Sequence, residues 1–220
     1  MNESTPILAV DMSFRSRADI PLWEAALHSL IEVDPGFDPA RLERHRLEPG
    51  EPEPWSDAFI PELARLCSTS TPTMWRVFRE GDSRSLTVSA NQNEVKLTLT
   101  LPSPGEPTAR FLEVIDACPS DLRPVLATGF EPSSADDTEL LLQGLDGLRQ
   151  VPPLLYLDCA AVERLGRASL ESSPCEVRRL DHGAVLLVTR AAPLEPPTEA
   201  DIVASKQIAQ ALKIDRRLCA

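Results

Sequence analysis

Residues Met74 to Leu101 read MWRVFREGDSRSLTVSANQNEVKLTLTL and hold the clearest sheet signal in the chain. Val95, Leu97, Leu99 and Leu101 alternate with Lys96, Thr98 and Thr100. That period of two sends the apolar set to one face of a strand and the polar set to the other. Leu86, Val88 and Ala90 repeat the pattern, and Met74 to Arg79 supplies a third run. Gly81-Asp82-Ser83 and Asn91-Gln92-Asn93 separate the runs with turn-forming residues. Three strands joined by short turns predict an antiparallel meander with one wet face.

Working outward, Ile7 to Phe14 (ILAVDMSF) predicts an opening strand. Asp19 and Pro21 then offer a cap and a first-turn proline to a helix carrying Trp23, Ala26, Leu27, Leu30 and Ile31 at three-four spacing. From Asp34 to Pro61 the chain holds six prolines, so most of that segment is expected as surface loop or irregular edge. Helices follow on Phe59, Ile60, Leu63, Leu66 and Cys67, and on Phe111, Val114, Ile115 and Cys118, before a strand at Pro124 to Phe130. Ser134 with Asp137 resembles a capping box for a helix bearing Leu141, Leu145 and Leu148. Val151 to Pro193 adds a strand at Leu154 to Leu157, a helix capped by Asp158 and closed by Gly166, and a hairpin around Asp181-His182-Gly183. A last helix opens at Thr198 to Asp201 and presents Ala204, Ile208, Ala211 and Leu212. The expected fold is α+β, with an antiparallel meander-and-hairpin sheet flanked by about five to six helices in a single domain spanning residues 1–220. Two strand-helix-hairpin-helix halves hint at a pseudo-duplication, with too little residue-level self-similarity to define a repeat.

Composition narrows the function classes. A chain of 220 residues that is 42% hydrophobic has apolar mass enough for a sizeable core. Its 34 acids against 22 bases give a net charge of −12, which repels nucleic acid and anionic membrane and favours a basic protein partner. The N-terminus MNESTPILAVDMSF lacks a signal-peptide pattern, and no run approaches the roughly 18 apolar residues of a membrane span. Cys67, Cys118, Cys159, Cys175 and Cys219 form an odd, scattered set without CxxC spacing. A reducing cytoplasm is the expected location, and the oligomeric state stays open.

The acidic residues are unevenly placed. Between Arg46 and Arg65 lie Glu48, Glu51, Glu53, Asp57 and Glu62, and between Arg123 and Arg149 lie Glu131, Asp136, Asp137, Glu139 and Asp146, with no Lys or Arg in either window. Solvation alone accounts for acids in loops and helix first turns, where the macrodipole favours them. The sharper reading is a face complementary to a basic partner, with a burial-seeking aromatic at its centre. Trp55 inside the first window and Phe130 beside the second are the anchor candidates. The candidate partner-binding residues are therefore Glu51, Glu53, Trp55, Asp57, Phe130, Glu131, Asp136, Asp137 and Glu139. Trp75 and Tyr156 sit on strands and are expected in the core.

The usual catalytic signatures are mostly absent from the sequence. Nine glycines form no phosphate cradle, and neither GxSxG nor HExxH occurs. His28, His45 and His182 are far apart, on a polar helix face, in the charged string ERHR and in a hairpin turn. No catalytic residue, metal or cofactor is expected. The one enzymatic story is a Cys159 nucleophile, its thiol at a helix start beside Asp158 and served by a distant histidine.

The run PPLLYLD, the helix AAVERLG and the segment SPCEVRRLDHGAVLLVTRAAP with its closing helix resemble the immunity proteins of bacterial polymorphic-toxin systems, in particular the family numbered fifty-two. The likeness covers roughly the last third of the chain. It implies a small cytoplasmic protein that binds and neutralises a cognate toxin, often a nuclease of the restriction-endonuclease type, and it carries over no catalytic residue. Tyr156, Asp158, Gly166, Gly183 and Pro193 match as fold-keeping positions, while the proline-rich insertion before Ser56 departs from the pattern. The expected function is steric and electrostatic blocking of a basic, nuclease-type toxin. The alternative is a structural or adaptor protein of a secretion system, with the thiol-dependent enzyme third.

Overall fold

Ten strands join into one sheet in the computed structural model, which describes residues 5–15, 18–45, 51–69, 72–91, 94–132, 151–190, 192–195 and 197–212. In chain order they are β1 (Ile7–Arg15), β2 (Arg41–His45), β3 (Glu53–Pro54), β4 (Thr73–Phe78), β5 (Ser85–Ala90), β6 (Glu94–Pro102), β7 (Leu126–Phe130), β8 (Leu154–Leu157), β9 (Glu176–Arg179) and β10 (Val185–Val188). The order across the sheet is β3-β2-β4-β5-β6-β1-β7-β8-β10-β9, and every neighbouring pair is antiparallel. Six α-helices accompany it among the described residues: α1 (Ile20–Glu32), α2 (Ile60–Thr69), α3 (Pro107–Ala117), α4 (Cys159–Leu165), α5 (Arg167–Glu171) and α6 (Glu199–Leu212). The α+β fold with a meander-and-hairpin antiparallel sheet is as the sequence predicts.

The meander is β4-β5-β6, and its register opposes Trp75 to Val88, Val77 to Leu86, Leu86 to Leu99 and Val88 to Leu97. The opening strand enters the middle of the sheet, paired with β6 on one side and β7 on the other. Its odd and even residues part company there. Leu8, Val10, Met12 and Phe14 join one core with α1, α2 and α3, while Asp11 and Ser13 occupy the opposite face. Over β7, β8 and β10 that opposite face turns apolar: Leu126, Leu155, Leu157, Val185 and Leu187 form a second core with residues of α4, α5 and α6. One sheet thus carries two helix layers, on opposite faces and toward opposite ends.

Caps fall where the sequence places them. Asp19 accepts from the Leu22 N–H at 3.1 Å, and Asp158 accepts from the Ala161 N–H at 2.7 Å. Thr198 and Asp201 bond each other's backbone N–H at 3.2 and 2.9 Å. Gly166 ends α4 at φ 85°, and His182 (φ 58°) and Gly183 (φ 80°) turn the β9-β10 hairpin. The described residues of the proline-rich segment include two short strands at the sheet edge. Leu42 is fully buried and pins β2 to β4, and β3 closes the sheet as an edge where Pro54 needs no outward N–H. The expected capping box at Ser134 and the helix on Leu141, Leu145 and Leu148 lie outside the described residues. Among the described residues no helix is long and apolar enough to cross a membrane.

Candidate partner-binding site

Arg44 gathers two acids of the first window, Glu53 and Glu62. It projects from β2 toward the same face as Trp75, and its guanidinium lies 4.6 Å from the Trp75 ring centroid and 5.5 Å from that of Phe59. Glu53 reaches it at 2.7 Å and Glu62 at 3.4 Å. The rings favour the cation electrostatically, and the two carboxylates pair with its terminal nitrogens while its buried Nε finds no hydrogen-bond partner among the described residues. Trp55 follows β3, donates its N–H to the Ala40 carbonyl at 2.9 Å, and sets its ring 6.1 Å from Phe59. Trp55 and Phe59 remain half-buried, while Glu51 and Asp57 are exposed. The patch is therefore an aromatic pair at the sheet edge beside the Arg44 guanidinium, which Glu53 and Glu62 pair, with Glu51 and Asp57 exposed in the same stretch of chain. Such a surface can receive lysine or arginine side chains and exclude water around an aromatic centre.

Phe130 and Glu131 lie elsewhere. Phe130, half-buried, ends β7 opposite Ala9. The register strings Pro54, Arg41, Phe78, Ser85, Thr100, Ala9 and Phe130 along one row across the sheet. Six strand spacings separate its ends, ~29 Å at about 4.8 Å each. Trp55, next to Pro54, and Phe130 are accordingly too far apart along the sheet to centre one patch. Half-buried Glu131 sits in the field of Arg190, whose guanidinium is pulled below its usual pKa by burial, against the opposing charges of Asp201, Glu131 and Glu195. Asp136, Asp137 and Glu139 lie outside the described residues.

Two features escape a linear reading. Arg44 sits in a charged string with no periodic mark, and only the edge pairing brings Glu53 and Glu62 to it. Asp11 is 8% exposed on the central strand, where Thr98 Oγ1 donates to its Oδ1 at 3.3 Å. Burial pushes its carboxyl up to about 6, with Lys96 pulling the other way. Ser13, Lys96 and Thr128 are buried on the same face. A lone carboxylate inside ILAVDMSF is the signal that marks it.

Cys159 is exposed at the start of α4, with its Sγ 3.9 Å from Glu163 Oε1. Burial lifts the Cys67 and Cys118 thiols to about 12, which keeps them protonated. Among the described residues no group of three or more His, Cys, Asp or Glu side chains stands where it could hold a metal ion. Trp75 and Tyr156 are buried, as expected of core residues.

No family model and no curated protein matches the sequence. Solved structures do show similarity. A T6SS protein of Pseudomonas aeruginosa superposes with a TM-score of 0.62 at 12% identity, over 96% of this chain and 74% of that one. A chain from the complex of the toxic C-terminal tip of CdiA from Pseudomonas aeruginosa with immune protein gives a TM-score of 0.36 at 11% identity, over 60% of this chain and 90% of that one. At such identity the first likeness is one of fold.

Proposed function

We propose that this chain is an immunity protein that binds a basic cognate toxin, of the nuclease class, in the cytoplasm and blocks it by covering its active cleft. The observation that carries the reading is the edge patch, where half-buried Trp55 and Phe59 lie beside the Arg44–Glu53–Glu62 cluster and Glu51 and Asp57 stand exposed in the same stretch of chain. A nuclease cleft is basic because it holds phosphates, and an acidic protein of net charge −12 is drawn to it and oriented by it. The resemblance of the C-terminal third to immunity proteins supports the same reading. Glu131 and Phe130 belong to a second, separate contact candidate.

The test is capture of the tagged chain from its native cells, followed by expression of any stoichiometric basic partner alone. A partner that kills cells alone and is harmless beside this chain supports the reading. Partners that are all non-toxic sink it. The fold shared with a T6SS protein favours a second reading, an adaptor of a secretion apparatus, for which the same capture returns machine components in several copies.

A further inference from the structure

We infer that β9 is the interface of a symmetric dimer in which two copies of the chain join their sheets edge to edge. Among the described residues β9 ends the sheet, with β10 on one side and no strand on the other. The Leu180 N–H donates to the Ala184 carbonyl at 2.9 Å across the hairpin. Backbone groups alternate in direction along a strand, so those of Arg178 and Glu176 also turn toward β10, and those of Val177 and Arg179 turn outward. An outward pair of N–H and C=O groups at Val177 is the template for another strand.

Side chains choose the register. A two-fold axis normal to the sheet pairs residues of equal face, so the copies can centre on Val177 or on Arg178. Centring on Arg178 sets two guanidinium groups opposite each other. Centring on Val177 sets Val177 against its own copy in a hydrogen-bonded pair and Glu176 against Arg178 twice, at non-hydrogen-bonded positions where side chains approach most closely. Glu176 and Arg178 already share one face, where Arg178 Nε reaches Glu176 Oε1 at 2.6 Å. The dimer extends that contact into a network of four alternating charges. Val177 lies on the other face, partly buried against the second core, so its copy adds an apolar contact there. A charged edge strand ordinarily discourages pairing. Here the charges alternate so that self-pairing in one register satisfies them, and a strand of four residues keeps the dimer weak.

The test uses the full chain in sedimentation over a range of concentration. The expected result is a reversible dimer whose dissociation constant rises about tenfold or more in Glu176→Arg, as two opposite-charge pairs become repulsive, and returns in the double variant Glu176→Arg with Arg178→Glu. Val177→Cys provides a second readout. Opposed hydrogen-bonded residues sit about 5.5 Å apart at Cα, within disulfide range, so mild oxidation should link two chains through this position while the wild-type chain, which keeps Cys159 and Cys175, stays unlinked. A chain that remains monomeric at high concentration and leaves Val177→Cys unlinked overturns the inference. So does a dimer indifferent to Glu176→Arg.

Discussion

Asp11 is a carboxylate buried on the central strand. Its folded value of about 6 stands above the ordinary 3.8. Below both values the carboxyl is protonated in either state and costs nothing. Between them the unfolded chain releases its proton while the folded one keeps it, so stability falls as pH rises from about 4 to 6 and then levels off. The full span is about 3 kcal/mol. Asp11→Asn should remove that slope, and the difference between variant and wild type in urea unfolding from pH 3.5 to 7.5 measures it. Parallel curves through the window would show that Asp11 does not titrate there. At Arg44 the expectation is a loss. Arg44→Ala leaves Glu53 and Glu62 facing each other and uncovers two rings, at a cost of about 1–2 kcal/mol, with the exposed ion pairs contributing the smaller share. A denaturation midpoint unchanged in this variant would refute the cluster's role. Neither residue's part was legible beforehand, because each depends on strands that meet only through pairing.

Elements repeat the lesson in reverse. The meander and the caps of α1, α4 and α6 were legible because their causes are local: alternation over a few residues, turn formers, and side chains that reach an N–H two or three residues on. β2 was not, since RLERH has a single apolar residue and is held as a strand by Leu42 against the core and by the neighbouring β4. Tertiary pairing overrides weak propensity there. Gly129 in β7 shows a packing demand that no pattern announces. A Cβ at this position would lie 2.7 Å from Phe111 Cδ2 of α3 and 3.1 Å from Leu154 Cβ of β8. Gly129→Ala should therefore destabilise by about 1–3 kcal/mol through overpacking, read as a lowered thermal midpoint. Pairing the change with Phe111→Leu should recover part of it, whereas independent effects that simply add would contradict the contact.

At the scale of the whole molecule, the net charge of −12 acts on encounter more than on the bound state. If the edge patch receives a basic toxin, Glu51→Gln with Asp57→Asn should slow association several-fold at low salt, by about 3- to 10-fold, and leave dissociation nearly unchanged. Trp55→Ala should do the opposite, speeding dissociation, because an aromatic centre acts after contact. Surface plasmon resonance at two ionic strengths separates the two, and equal loss of both rates in either variant would argue against this division of labour. Composition, charge sign, the α+β class and most of the strands and helices were determined by the sequence itself, because burial periodicity, caps and turns act within a few residues. The tertiary structure alone decided that β1 runs through the middle of the sheet, that Pro54 and Phe130 lie six strand spacings apart, and that Glu53 and Glu62 serve Arg44. Those outcomes rest on pairings between residues distant in the chain, and contact between distant residues leaves no periodic trace in either partner.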